Sequence, residues 1–288
     1  MKYGMNLLLW TDDPTRESLL PLYGRLRAMG FDGVELPIFD PVPERFAALG
    51  RRLDDLGLER TAVTVRTPAD DPISPDPAVR RAAVERSRLA VDCCEAAGAA
   101  LLGGPLYAAL GSFSGSPPTK EEWERSVACI REMADHAARA GVTLALEFLN
   151  RFEIYLLNCA ADAARFVRDV GRPNCTVHYD TFHAHIEEKD PAAAIAACAA
   201  ELGHVHVSEN DRGTPGRGQV DWEATFDALH RAGYDGWLVI EAFGQALPGL
   251  AAATKIWRRM FDDEETLARE GLAFMRRAWE RRAGEARP

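Results

Sequence analysis

The sequence predicts an α/β fold, a single (β/α)₈ TIM barrel formed by one domain that spans residues 1–288. Three observations lead to this prediction. Short apolar runs alternate with longer segments of helical period, eight such runs are present, and no linker or low-complexity tract divides the chain. The length of 288 residues fits a barrel of this kind, which typically needs about 250 residues, with modest extensions. Strands that alternate with helices are parallel and joined by right-handed crossovers.

The predicted elements follow from the apolar pattern in chain order. The eight strands are predicted at residues 3–9, 33–37, 60–65, 99–103, 142–148, 175–179, 204–207 and 237–241. Helices are predicted between them, with apolar residues three and four apart, for example at residues 17–29, 78–96, 120–140 and 222–232. Glycines mark the expected helix ends, namely Gly30, Gly57, Gly98, Gly141, Gly203 and Gly233. Eight repeats favour closure into a barrel over an open sheet.

The composition disfavours a nucleic-acid or membrane protein. The chain carries 34 Lys and Arg against 44 Asp and Glu, and a net charge of −10 repels phosphate backbones. No run of about 18 apolar residues is present, and the first residues do not resemble a signal peptide. The six cysteines form no C-x-x-C pair, which is typical of free thiols in a reducing cytosol. We therefore expect a cytoplasmic protein.

Four metal-ligand side chains fall at the carboxyl ends of four consecutive predicted strands, where sites in barrels are built. Glu147 ends strand five, Asp180 follows strand six, His206 lies on strand seven and Glu241 ends strand eight. Neighbouring strands lie about 4.8 Å apart, so the four side chains can converge on one ion. Three carboxylates and one imidazole suit Mn²⁺, Mg²⁺ or Co²⁺ better than structural zinc. Glu35, at the end of strand two, could also face the mouth of the barrel, but the sequence does not indicate its role.

At these residues the sequence resembles the ketose 3-epimerases, the D-tagatose/D-allulose 3-epimerase group of the xylose-isomerase-like barrels. The resemblance covers most of the C-terminal half in order. Its pieces are residues 146–153, 179–183 with 186–188, 203–216, 218–222, 240–243 and 256–258, and weaker matches are residues 30–35 and 104–107. Any one piece is weak, but the ordered set is specific.

The resemblance implies a role for each matching residue. Glu147, Asp180, His206 and Glu241 would bind one divalent ion, with Mn²⁺ first and Co²⁺ or Mg²⁺ as alternatives. Glu147 and Glu241 would also be the catalytic acid/base pair. The same resemblance implies a small ketose as substrate and an assembly into a homodimer or homotetramer. The implied substrate-binding residues are Glu153, His183, Arg212, Phe243 and Trp10, the first three of which would hold the C1–C2 end of the sugar.

Two departures from the family bear on the substrate. The family usually shows a second Trp a few residues after the one that matches Trp10, where this chain has residues 11–14 with Asp13 among them. It also tends to carry an aromatic residue after residues 104–107, where this chain has residues 108–111 with Leu110 among them. Both pieces belong to the wall that faces the far end of the sugar. We therefore expect a shift away from D-tagatose and D-allulose towards another ketose.

The predicted chemistry needs these residue types. Inverting C3 of a ketose requires removing a proton next to a carbonyl, and a divalent cation stabilises the negative charge that develops on the cis-enediolate. A carboxylate on each side of the planar intermediate can then remove the proton from one face and return it to the other. Glu147 and Glu241 lie on the outer two of the four ligand strands, on opposite sides of the site.

Alternative functions remain open from the sequence. An aldose–ketose isomerase, of the hydroxypyruvate-isomerase kind, would use the same residues but move the proton between C1 and C2. A sugar dehydratase on a similar barrel is a further alternative, and a non-catalytic sugar-binding barrel would not need two flanking carboxylates. An apurinic-site endonuclease would need more histidine ligands and a basic groove, which seven histidines and a net charge of −10 disfavour.

Overall fold

The computed structural model describes residues 1–285 and places its eight strands in one closed parallel barrel, in the order β1 to β8. This confirms the predicted fold class. Each strand pairs with its neighbours in sequence, and β8 closes the barrel by pairing with β1. The strands are β1 (Lys2–Asn6), β2 (Gly33–Pro37), β3 (Glu59–Val63), β4 (Leu101–Gly104), β5 (Thr143–Glu147), β6 (Cys175–Asp180), β7 (Leu202–Val207) and β8 (Trp237–Ile240).

Helices connect the strands and surround the barrel, and the main hydrophobic core lies between the two layers. Every predicted helical segment forms a helix, with bounds shifted by a few residues. The helices are α1 (Leu20–Met29), α2 (Pro43–Leu56), α3 (Pro77–Ala97), α4 (Lys120–Arg139), α5 (Ala160–Val170), α6 (Thr181–Glu187), α7 (Pro191–Cys198), α8 (Trp222–Arg231), α9 (Pro248–Ala253) and α10 (Glu264–Glu285). Within residues 1–285, none of these helices combines the length and the apolar character that crossing a membrane requires.

The first strand is shorter than predicted, because a polar side chain ends it. The prediction extended β1 to Leu9, but the strand stops at Asn6 and residues Leu7–Leu9 form a 3-10 turn. The Asn6 side-chain oxygen accepts a hydrogen bond from the backbone N–H of Leu8 at 2.8 Å. This local bond offers the backbone an alternative to the strand ladder.

One predicted helix end is wrong. Gly203 does not end a helix: α7 stops at Cys198, and Gly203 lies inside β7. The register between β6 and β7 shifts here, with Val177 opposite Leu202 and His178 opposite His204, so Gly203 is the extra residue of a β-bulge. A Cβ atom on Gly203 would lie 2.6 Å from the Cβ of Thr176. The bulge therefore needs a residue without a side chain.

Replacing Gly203 with alanine is expected to destabilise the barrel by about 1–3 kcal/mol, as overpacking typically does. The added methyl group would push β7, which carries His204 and His206, away from β6. Urea unfolding measures the effect. Gly24→Ala is the matched control, since Gly24 lies in α1 with open space where the added methyl group would stand, and it should stabilise by about 0.5–1 kcal/mol. Equal stabilities of the Gly203→Ala variant and the wild type would show that the bulge tolerates a side chain.

Candidate functional site

The four predicted ligand residues converge at the carboxyl end of the barrel. Glu147 is the last residue of β5, Asp180 is the last of β6, His206 lies in β7 and Glu241 directly follows β8. Each contributes one ligand atom, and the four atoms lie within 4.8 Å of one another. All four side chains are buried, with Asp180 and His206 fully so. Their position at one point of the barrel mouth follows from their places on adjacent parallel strands.

The imidazole of His206 faces the three carboxylates through Nδ1. This atom lies 3.5 Å from Asp180 Oδ2, 3.5 Å from Glu241 Oε1 and 3.9 Å from Glu147 Oε1. It is buried and has no hydrogen-bond partner within residues 1–285. Carboxylate oxygens with one imidazole nitrogen form a donor set that fits a hard or borderline divalent cation. The geometry therefore suits a metal ion bound through His206 Nδ1.

The charges of the site favour a cation at its centre. Burial, followed by the charge of Glu241, raises the pKa of Glu147 well above its usual range. Burial also raises the pKa of Glu241. Burial alone would lower the pKa of His206, but Glu35 and Glu241 raise it well above its usual value. Burial therefore penalises uncompensated negative charge at this point, and a divalent cation would neutralise it.

The Asp180 carboxylate accepts two hydrogen bonds, one at each oxygen. One oxygen accepts the backbone N–H of Phe182 at 2.6 Å and caps the N-terminus of α6. The other accepts a hydrogen bond from Arg212 at 3.0 Å. Burial would raise the pKa of Asp180, but the Arg212 guanidinium and His206 hold it well below its usual range. The carboxylate is therefore fixed in position and ionised.

Arg212 reaches the site from the loop after β7. Its Nη1 donates to Glu241 at 2.8 Å as well as to Asp180, and its guanidinium lies 3.7 Å from the ring centre of Phe182 and 5.0 Å from that of Phe243. Arg212 also adopts a left-handed backbone with φ 61°, which is uncommon for a residue other than glycine. Such conformations persist only where surrounding contacts enforce them.

A buried carboxylate holds the loop that carries Arg212. Glu209 is fully buried, and its carboxylate accepts hydrogen bonds from the backbone of Gly216 and Val220 and from the Trp222 indole at 2.9 to 3.0 Å. Its own carbonyl accepts the N–H of Arg212. Sequence reasoning did not identify this role for Glu209, because its partners are spread over the loop without a periodic pattern.

The other predicted substrate-binding side chains join the site to different degrees. His183 Nε2 lies 3.0 Å from Arg212 Nη2 and 3.7 Å from Glu147 Oε1, so His183 faces the candidate ligand residues. Burial and Arg212 lower the pKa of His183 to about 4, which keeps its imidazole neutral. Asn150, not singled out from the sequence, donates to both His183 Nδ1 at 2.9 Å and Glu153 Oε1 at 2.8 Å. Glu153 is thereby linked to the site and remains half-buried.

Phe243, the predicted aromatic wall of the pocket, belongs to a small apolar cluster. This cluster is separate from the main hydrophobic core. Its buried members are Leu8, Val63, Phe243, Ala251 and Ile256. Trp10 follows the 3-10 turn after β1 and is partly buried against the main core. The role of Trp10 in the pocket stays a prediction.

Comparison with known proteins finds sugar epimerases that are similar to this chain over nearly its whole length. Residues 24–278 match the family model described as the xylose isomerase-like TIM barrel. The chain is 36% identical over 277 residues to an L-ribulose 3-epimerase of Mesorhizobium japonicum, covering 95% of this chain and 93% of that protein. It is 35% identical over 278 residues to a ketose 3-epimerase of Arthrobacter globiformis, covering 96% of each. The crystal structure of a D-allulose 3-epimerase from Methylomonas sp. in complex with D-allulose superposes with a TM-score of 0.91 at 32% identity, covering 96% of this chain and 97% of that one.

Proposed function

The chain belongs to the xylose isomerase-like TIM barrel family, and we propose that within this family it is a metal-dependent ketose 3-epimerase. The observation that carries the proposal is the convergence of Glu147, Asp180, His206 and Glu241 at the barrel mouth. Two of its carboxylates extend from the outer two of four adjacent strands. Relatives that cover nearly the whole chain are named as 3-epimerases, which supports the same reaction.

We propose that the four residues hold one divalent cation, Mn²⁺ first, with Co²⁺ or Mg²⁺ as alternatives. When bound, such a cation supplies Lewis-acid stabilisation of negative charge on the sugar oxygens. Asp180 and His206 serve as ligands and are fixed by the α6 N-terminus and by Glu35 respectively. Glu147 and Glu241 are proposed to act as ligands and as the proton-transfer groups.

Each of the two carboxylates would transfer a proton at one face of C3. Burial makes a carboxylate a stronger base, because it disfavours the charged form. Burial raises the pKa of both Glu147 and Glu241 in this way. One removes the C3 proton from its own face, and the other delivers a proton to the opposite face. Two bases on two sides are needed because the intermediate at C3 is planar.

Donor groups beside the carboxylates would hold the C1–C2 end of the ketose. Arg212 is fixed between the rings of Phe182 and Phe243, and its guanidinium points towards the ligand oxygens. A fixed guanidinium stabilises charge on a sugar oxygen without reorganising during the reaction. Neutral His183 lies beside it, and Glu153 is connected to His183 through Asn150.

The far wall of the pocket is proposed to favour a shorter ketose than D-allulose. Asp13 is held in a turn by Thr15 and by Arg45 at 2.5 Å, and Leu110 is half-buried beside Arg66. Neither position presents the aromatic ring that the resemblance leads one to expect. We expect the highest kcat/KM with a five-carbon ketose, the size of the sugar in the name of the Mesorhizobium japonicum relative.

A panel of four- to six-carbon ketoses, incubated with enzyme and Mn²⁺ in D₂O and followed by NMR, tests both proposals. We expect deuterium at C3 and formation of the C3 epimer. Exchange at C1 with an aldose product would establish the isomerase alternative instead. A kcat/KM for D-allulose well above that of every four- and five-carbon ketose would contradict the expected preference while leaving the reaction type intact.

The remaining expectations stay predictions: a cytoplasmic location, a homodimer or homotetramer, and no binding of nucleic acid or membranes.

A further inference from the structure

A fully buried carboxylate lies directly beneath the proposed metal site. Glu35 is in β2, across the barrel from β7, and is 0% exposed. Its Oε1 lies 2.5 Å from His206 Nε2, and its Oε2 lies 2.8 Å from His204 Nε2. The Thr61 hydroxyl donates to Oε2 at 2.8 Å. A buried carboxylate with this many donors is held in one orientation, since each lost bond would leave a buried polar group unpaired.

The contact with Glu35 decides which nitrogen of His206 is free. An ionised carboxylate only accepts hydrogen bonds, so His206 must carry its proton on Nε2. The Thr61 hydroxyl and the Asn6 amide donate to Glu35, and both imidazoles lie within hydrogen-bond distance of it, so all four neighbours of the carboxylate can be donors. Because Nε2 is committed to Glu35, Nδ1 is the ring nitrogen left to bind a cation, and it faces Asp180, Glu241 and Glu147.

Glu35 also reaches a second ligand through Asn6. The Asn6 amide nitrogen lies 3.0 Å from Glu35 Oε1 and 3.4 Å from Glu241 Oε1. The amide oxygen is occupied by the backbone N–H of Leu8. The orientation of the amide is therefore fixed, with its NH₂ group directed at the two carboxylates. Asn6, Glu35 and Thr61 are register neighbours on β1, β2 and β3, which places them at one level of the barrel interior.

We propose that Glu35 is a positioning residue that orients His206 for metal binding through Nδ1 and, through Asn6, also orients Glu241. The inference rests on the proposed metal-dependent function and extends it from the four ligands to the side chain that holds them. Hydrogen-bond partners of ligand histidines fix the ring and raise its basicity, and their loss typically weakens metal binding by about 10–100-fold.

The test compares Mn²⁺ binding by the metal-free full-length chain and its variants, using isothermal titration calorimetry. Glu35→Gln keeps the size of the side chain but removes its charge and one acceptor oxygen, and Glu35→Ala removes the contact entirely. We expect Mn²⁺ affinity to fall by about 10–100-fold in Glu35→Gln. The Mn²⁺ concentration that half-restores epimerisation should rise by the same factor, while the KM for the ketose at saturating Mn²⁺ stays unchanged. A purely structural role would not produce this rescue by excess metal.

Thr225→Val is the matched control, because it removes a hydrogen bond of a buried hydroxyl, to the Asp221 carbonyl at the start of α8, outside the Glu35 network. It should bind Mn²⁺ as the wild type does. Equal weakening in Thr225→Val and Glu35→Gln would overturn the positioning role in favour of general packing. Unchanged Mn²⁺ affinity in a folded Glu35→Gln variant would also overturn it, whether or not Glu35→Ala folds. A wild type that binds no Mn²⁺ would instead refute the metal site of the proposed function, which is a separate outcome.

Discussion

Removing divalent metal is expected to abolish ketose epimerisation, and adding Mn²⁺ or Co²⁺ should restore it. The C3 proton is too weakly acidic for an unaided carboxylate, and a Lewis acid contributes several kcal/mol to this kind of charge stabilisation. A contribution of about 3 kcal/mol corresponds to about 10²-fold in rate. The measurement is the rate of epimer formation after dialysis against EDTA, with residual metal quantified by mass spectrometry.

Two histidine variants provide the comparison for this experiment. His206→Ala removes the only imidazole among the four ligands, so activity should not return when Mn²⁺ is added. His185→Ala changes an exposed histidine of α6, only two residues after His183, and should respond to chelation and to Mn²⁺ as the wild type does. Full activity in a chain that is demonstrably free of metal would contradict the proposal. A Mn²⁺-soaked crystal without density between the four side chains would contradict the ligand assignment.

The barrel and its four candidate ligands were predictable because their signals are local. A strand is a short apolar run, and parallel strands bring their carboxyl ends to one mouth, so Glu147, Asp180, His206 and Glu241 could be grouped without knowing any contact. Side-chain alternation also places His204, two residues before His206, on the same face of β7, and it is fully buried beside Glu35. These inferences needed only chain order and side-chain alternation.

The supporting contacts were not predictable, because they cross the barrel or depend on backbone irregularities. Glu35 on β2 meets His206 on β7, and no periodic pattern in the sequence relates two strands on opposite sides of a barrel. Glycine commonly ends helices, so the sequence pattern wrongly predicts a helix end at Gly203. Its actual place in a bulge depends on the close approach of Thr176, which only the packing of β6 against β7 reveals.

Glu147→Gln and Glu241→Gln are each expected to lower epimerisation by at least about 10²-fold, the usual contribution of a positioned acid/base group. Glutamine keeps an oxygen that can bind the cation but removes the basic carboxylate. Each variant should therefore still bind Mn²⁺ in calorimetry. Glu188→Gln is the control, because it changes a half-buried carboxylate at the end of α6 that accepts the N–H of Ala160, and it should retain near wild-type activity.

The two carboxylates differ in their surroundings, so the two variants are expected to differ in what activity remains. Glu241 accepts a hydrogen bond from Arg212 at 2.8 Å, whereas Glu147 faces His183 at 3.7 Å. A variant that lacks one base can still exchange the C3 proton of the epimer whose proton faces the other base. In D₂O we expect each variant to incorporate deuterium at C3 of one epimer without inverting that carbon. Glu147→Gln should label one epimer, and Glu241→Gln should label the other. This assigns one face to each carboxylate. A variant that binds Mn²⁺ and still epimerises at nearly the wild-type rate would show that its carboxylate is not a proton-transfer group, and the two-base mechanism would be wrong for this protein.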